Sequence, residues 1–77
     1  MIPQFTIEKR NFGYRVTSEP DPMGMVKKLF LGKGNTAFSK AVGYATNWAA
    51  KANGKLIDQT GRLSEQDCAD FVAAMRP

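Results

Sequence analysis

Between Thr36 and Ala52 the apolar residues Phe38, Ala41, Val42, Ala45, Trp48, Ala49 and Ala52 recur at spacings of three and four. That period lines them along one stripe of an α-helix, so the segment must bury a face against something. The opposite side carries Lys40, Tyr44, Asn47 and Lys51, at steps of four, three and four. Asn35 or Thr36 is expected to cap the start by accepting a bond from a first-turn amide. Asn53-Gly54 is expected to end the helix, with Gly54 in the left-handed closing position.

A helix this long leaves a chain of 77 residues room for one core, so a single domain over residues 1–77 is expected. The material it covers lies upstream. Phe5-Thr6-Ile7-Glu8-Lys9 alternates apolar and polar, as a half-buried strand does. Asn11-Phe12-Gly13 reads as a turn, with Asn and Gly tolerant of positive φ. Tyr14-Arg15-Val16-Thr17 resumes the alternation, so Phe5, Ile7, Tyr14 and Val16 are expected on one face of a hairpin. Ser18 to Gly24, with prolines at 20 and 22, reads as a loop that presents Met23 at its tip. Met25 to Leu31 follows as a third strand, and Lys27 and Lys28 then point to opposite sheet faces.

After the helix, Lys55-Leu56-Ile57-Asp58 is a short extended piece and Asp58-Gln59-Thr60-Gly61 a turn. The last helix opens on Ser64 with Asp67 three residues on, the pattern of a capping box, and Leu63 stands where a staple residue belongs. Cys68, Phe71, Val72 and Met75 give this helix its own apolar stripe. The expected fold class is α+β, in the order β-β-β-α-β-α. A three-stranded antiparallel sheet is covered by one long helix, with a short fourth extended segment and a C-terminal helix as extension.

The formal charge is +4, unevenly placed. Residues 1–55 hold nine Lys/Arg against Glu8, Glu19 and Asp21, a balance of +6, and residues 56–77 hold two against four acids. A basic body suggests an anionic partner. The lone Cys68 allows no internal disulfide, which points to a reducing interior. The segment from Met1 to Glu8 lacks a basic start followed by an apolar run, and nothing approaches the ~20 apolar residues of a membrane span. A cytoplasmic protein without a membrane association is expected.

The chain contains no histidine, so Ser-His, Cys-His and His-metal chemistry have no basis here. Neither a metal nor a cofactor is expected, and neither is catalysis. Gly32-Lys33-Gly34 precedes a helix but lacks the rest of a P-loop or a dinucleotide fingerprint. Binding is therefore the expected activity. Lys28, Lys33 and Lys40 fall where the third strand, the connecting loop and the first helix turn meet along one edge. With Tyr44, Asn47 and Lys51 on the exposed helix stripe, they make up the expected partner-binding residues.

Two resemblances bear on that expectation. Gly32-Lys33-Gly34-Asn35-Thr36 is similar to the Gly-x-Gly helix opening of double-stranded RNA-binding domains, but Ala37 and Phe38 stand where that family carries paired lysines. The strand pair with Gly13-Tyr14-Arg15-Val16, the third strand, the Ala-rich helix and the Gly61-Arg62 turn resemble small βββα proteins of bacteria and their phages. Several of these are anti-CRISPR inhibitors. The resemblance rests on size and element order and implies no residue-level roles. It implies a phage-encoded, non-enzymatic inhibitor in the host cytoplasm, docking on a host protein or ribonucleoprotein such as a CRISPR effector. A small nucleic-acid-binding regulator is the alternative.

Overall fold

The computed structural model describes residues 2–19, 27–32 and 34–76. Its elements follow the expected order: β1 (Gln4–Arg10), β2 (Gly13–Glu19), β3 (Lys27–Leu31), α1 (Asn35–Lys51), β4 (Lys55–Asp58) and α2 (Glu65–Met75). The fold is α+β, with the strands in one sheet of order β3-β2-β1-β4. β1, β2 and β3 form an antiparallel meander, and β4 joins the far edge parallel to β1. The short fourth segment is thus a full member of a mixed sheet. Its entry requires α1 to carry the chain from one edge to the other, the crossover that a parallel pairing demands.

The alternation in β1 and β2 places Phe5, Ile7, Tyr14 and Val16 on one face, all buried as expected. α1 lies across all four strands on that face, and α2 packs against α1 and β4. Ala37, Phe38, Ala41, Ala45 and Ala49 meet the sheet residues together with Leu56, Cys68 and Val72 in one core. On the other face, Arg15 lies opposite Glu8 and donates to its Oε2 from Nε at 3.0 Å and Nη2 at 2.6 Å.

The helix ends differ from expectation. Gly34 is the N-cap of α1, and neither Asn35 nor Thr36 caps it with a side chain. Asn35 Oδ1 instead accepts from Arg62 Nη2 at 2.6 Å. The same guanidinium lies 4.1 Å from the Phe38 ring centroid and donates to the Tyr14 hydroxyl at 3.3 Å. Phe38 meets Tyr14 edge to face at 5.2 Å. Asn35 is thus engaged in tying the turn before α2 to the start of α1.

At the other end of α1, Asn53 takes the left-handed conformation (φ 55°) in place of Gly54. Asn53 N–H donates to Ala50 O and Gly54 N–H to Ala49 O, so the closing motif is complete with asparagine at its turning position. Gly54 is needed for space: a Cβ there would stand 2.7 Å from Pro3 O and 2.9 Å from the Phe5 ring. Nor does the β1–β2 turn use positive φ, which among the described residues falls on Asn53, Gly32 and Gly61. Gly13 is a strand residue pressed against the main chain of Phe30.

The start of α2 matches its sequence pattern. Ser64 Oγ accepts from Asp67 N–H at 3.0 Å, and Asp67 Oδ2 accepts from Ser64 N–H at 3.3 Å. Asp58 organises the preceding turn by accepting from the main-chain amides of Thr60, Arg62 and Leu63. The stripe of α2 is only half buried: Cys68 and Val72 enter the core, while Phe71 and Met75 are exposed. The expected loop from Ser18 is also corrected, since β2 continues through Glu19. Met23, Met25 and Val26 lie outside the described residues.

Two glycines give opposite expectations. Gly54→Ala should lower stability by about 1–3 kcal/mol, the usual cost of forcing atoms into a filled site. Gly43 lies inside α1 with nothing within 4 Å of a built Cβ. Gly43→Ala should therefore raise stability by about 0.5–1 kcal/mol. Urea unfolding midpoints of the two variants against the parent check both signs.

Candidate functional site

The β3–α1 edge is built from alternation in one element and helical period in the other. Register pairs Lys28 with Val16 and Phe30 with Tyr14, both core-facing, so Lys28 and Phe30 point to the helix side of the sheet. Tyr44 and Trp48 are one turn apart on α1 and therefore share a flank. Tyr44 meets Phe30 edge to face at 5.5 Å between centroids, and Trp48 meets Tyr44 in the same manner at 6.4 Å. Three aromatic rings thus run in a half-buried row from the edge strand up the side of the helix.

Lysines stand at both ends of the row. Lys28 Nζ is 5.8 Å from the Tyr44 ring centroid and 6.0 Å from that of Phe30, and Lys51 Nζ is 5.8 Å from that of Trp48. These distances lie within the range in which a ring quadrupole attracts a cation. The rings steady the amines while leaving their charge open to a partner. Lys40, exposed, sits one helical turn before Tyr44. No Asp or Glu occurs between Asp21 and Asp58, a span holding Lys27, Lys28, Lys33, Lys40, Lys51 and Lys55. The long-range field of this segment is uniformly positive.

Of the sequence-predicted residues, the structure brings Lys28, Tyr44 and Lys51 together through two aromatics that the prediction left out, Phe30 and Trp48. Asn47 is exposed near the helix crest, between this flank and the one facing α2. Lys33 lies outside the described residues. Tyr44 is half-buried, where the helical stripe alone placed it in solvent; Trp48, assigned to the buried stripe, is half-buried as well. The i, i+4 spacing of Tyr44 and Trp48, followed by Lys51, was the available signal for the row.

Among the described residues no three His, Cys, Asp or Glu side chains converge as metal ligands, and no helix is long and apolar enough to cross a membrane. A groove of ≈ 460 Å³ runs between α1 and α2 past Val42, Gly43, Thr46, Phe71 and Met75. It carries no charged lining residue. Comparison with protein-family models, with curated proteins and with solved structures finds no match.

Cys68 is 4% exposed, and its thiol is pushed above its ordinary range. Burial is the main cause; the negative charges of Asp58, Asp67 and Glu65 add to it, and a main-chain hydrogen bond at Asp58 partly offsets them. Such a thiol packs and does not attack. With the folded pKa raised, the unfolded thiol ionises first, so this group's stabilisation is complete below about pH 8.5 and declines above it. Urea midpoints taken at about pH 7 and about pH 9.5 should fall more for the parent than for Cys68→Val. Native-state alkylation should trail that of the urea-unfolded chain by more than about 100-fold.

Proposed function

We propose that this chain is a non-enzymatic binding protein whose working surface is the β3–α1 edge. Its partner in this reading is a host defence ribonucleoprotein of the CRISPR type, and the chain is a phage-encoded inhibitor of it. The observation that carries the reading is the row Phe30–Tyr44–Trp48 with Lys28 and Lys51 at its ends. Large rigid rings contribute contact area at low entropic cost, and fixed cations beside them select an anionic surface and speed the encounter. Lys40 and Asn47, both exposed on α1, extend the same surface in this reading.

An inhibitor of this kind needs no reacting group. It needs a surface that keeps its shape when bound, and a half-buried row anchored on an edge strand and one helix meets that need. A ribonucleoprotein carries the phosphates of its RNA, and the cations of this edge suit such an anionic surface.

A second reading shares one observation. Cations flanking aromatic rings also hold single-stranded nucleic acid, by charge and stacking. The two separate by ligand, since only the second expects an oligothymidylate to bind by itself. Direct binding of an oligothymidylate would weaken steeply as salt rises, with a slope set by the number of phosphates neutralised.

The test is a plaque assay on a CRISPR-immune host expressing the chain and challenged with a phage its spacers target. Plaque numbers should rise by orders of magnitude over the host without the chain. The Lys28→Glu, Lys51→Glu double variant should return them to the immune level, through a loss of at least ~100-fold in partner affinity. Circular dichroism and an unchanged urea midpoint would show that its fold is kept. Full inhibition by the double variant would overturn the surface, and absence of any inhibition across CRISPR types would overturn the partner.

A further inference from the structure

β3 is an end strand of the sheet, and among the described residues nothing pairs with its free side. The ladder shows which main-chain groups face outward. Gly32 N–H donates to Phe12 O at 2.8 Å, and Gly32 and Phe12 continue the register in which Gly13 meets Leu31. In an antiparallel pair, hydrogen-bonded and non-bonded residue pairs alternate. The bonded pairs are then Phe12 with Gly32, Tyr14 with Phe30 and Val16 with Lys28. Leu29 and Leu31 therefore turn both N–H and C=O away from β2, toward the free edge. Their side chains lie on the sheet face that neither helix covers, 48% and 72% exposed.

The free edge thus offers three kinds of contact in one place: open main-chain donors and acceptors, apolar side chains on one face, and Lys28 beside the aromatic row on the other. We infer that β3 takes up an extended segment of a partner as a fifth strand, and that this segment alternates acidic residues toward Lys28 with apolar residues toward Leu29 and Leu31. Strand addition draws affinity from the main chain and specificity from alternate side chains. Charge decides the occupant. Lysines on an edge strand discourage pairing with another copy, which would bring the same cations together. Lys28 attracts an acidic strand, and β3 and α1 contain no Asp or Glu to compete for it.

The inference rests on the reading of the β3–α1 edge as the working surface and specifies what the partner presents to it. The probe is a synthetic peptide, acetyl-Glu-Val-Glu-Val-Glu-Val-Glu-amide, titrated into isotope-labelled protein. On binding, the Leu29 and Leu31 amides should exchange with solvent more slowly, while Lys28 and Phe30, already bonded to β2, should change little. The analogue with lysine in place of glutamate should not bind. Leu29→Pro deletes one outward N–H at an edge position that tolerates proline, and should weaken the peptide by about tenfold. Leu29→Val, which keeps that N–H, should bind nearly as the parent does.

Peptide binding without slowed Leu29 and Leu31 exchange overturns the inference, as does no binding at millimolar peptide. A free protein that sediments as a dimer, with those two amides already protected, overturns it in favour of a second copy. The plaque assay separates this inference from the function it rests on. Inhibition lost in the Lys28→Glu, Lys51→Glu variant but intact in Leu29→Pro keeps the surface and removes strand addition. A seated peptide without any plaque effect keeps strand addition and removes the defence partner.

Discussion

The structure depends on how closely α1 can lie on the sheet. Ala41, Ala45 and Ala49 repeat every fourth residue and are fully buried, so beyond Phe38 in its first turn the helix presents little side-chain thickness along its line of contact. The bulk comes from the sheet side, from Phe5, Ile7 and Val16, which are fully buried beneath it. Small residues facing large ones let the layers interdigitate without voids. That close approach puts the flank of α1 within reach of β3, where Tyr44 meets Phe30. A larger residue at any of the three alanines would lift the helix and part the aromatic row from the strand that anchors it.

Once α1 is set down in that manner, its two flanks acquire different characters. Toward β3 it shows Tyr44, Trp48 and Lys51, with Lys28 reaching up from the strand. Toward α2 it shows Val42, Gly43 and Thr46 over an apolar groove. The charge asymmetry follows the same division. The long run without acids spans β3, α1 and the first residues of β4, whereas in α2 Glu65 and Asp67 lie in the first turn, with Asp67 in the cap, and Asp70 accepts from Gln66. The signs are thus segregated along the chain, with cations and no acids on β3 and α1.

Much of the fold was legible because its signals are local. Period three and four gave α1, period two gave β1 and β2, and Ser64 with Asp67 gave the start of α2. Features set by distant packing were not legible. Nothing in Lys55-Leu56-Ile57-Asp58 says that it will lie parallel to β1, because that pairing depends on where α1 delivers the chain. Gly54 looked like a helix terminator, but its neighbour Asn53 turns the chain and Gly54 yields space to Pro3 and Phe5. Phe71 and Met75 fit the stripe of α2, yet they face the flank where α1 carries Gly43 and has no bulk to cover them. The expected site was legible in part for the same reason. The sequence grouped Lys28 with the exposed Tyr44 and Lys51, but only the neighbouring strand reveals that Phe30 joins them.

The central claim is that partners meet this chain along β3 and the adjoining flank of α1. The most direct measurement is amide hydrogen exchange on the chain, free and mixed with the ribonucleoprotein proposed as its partner. Slowed exchange confined to β3 and to the half of α1 from Tyr44 to Lys51 is the predicted result. Slowed exchange confined to α2 and the groove beside it, with β3 unchanged, would contradict the account.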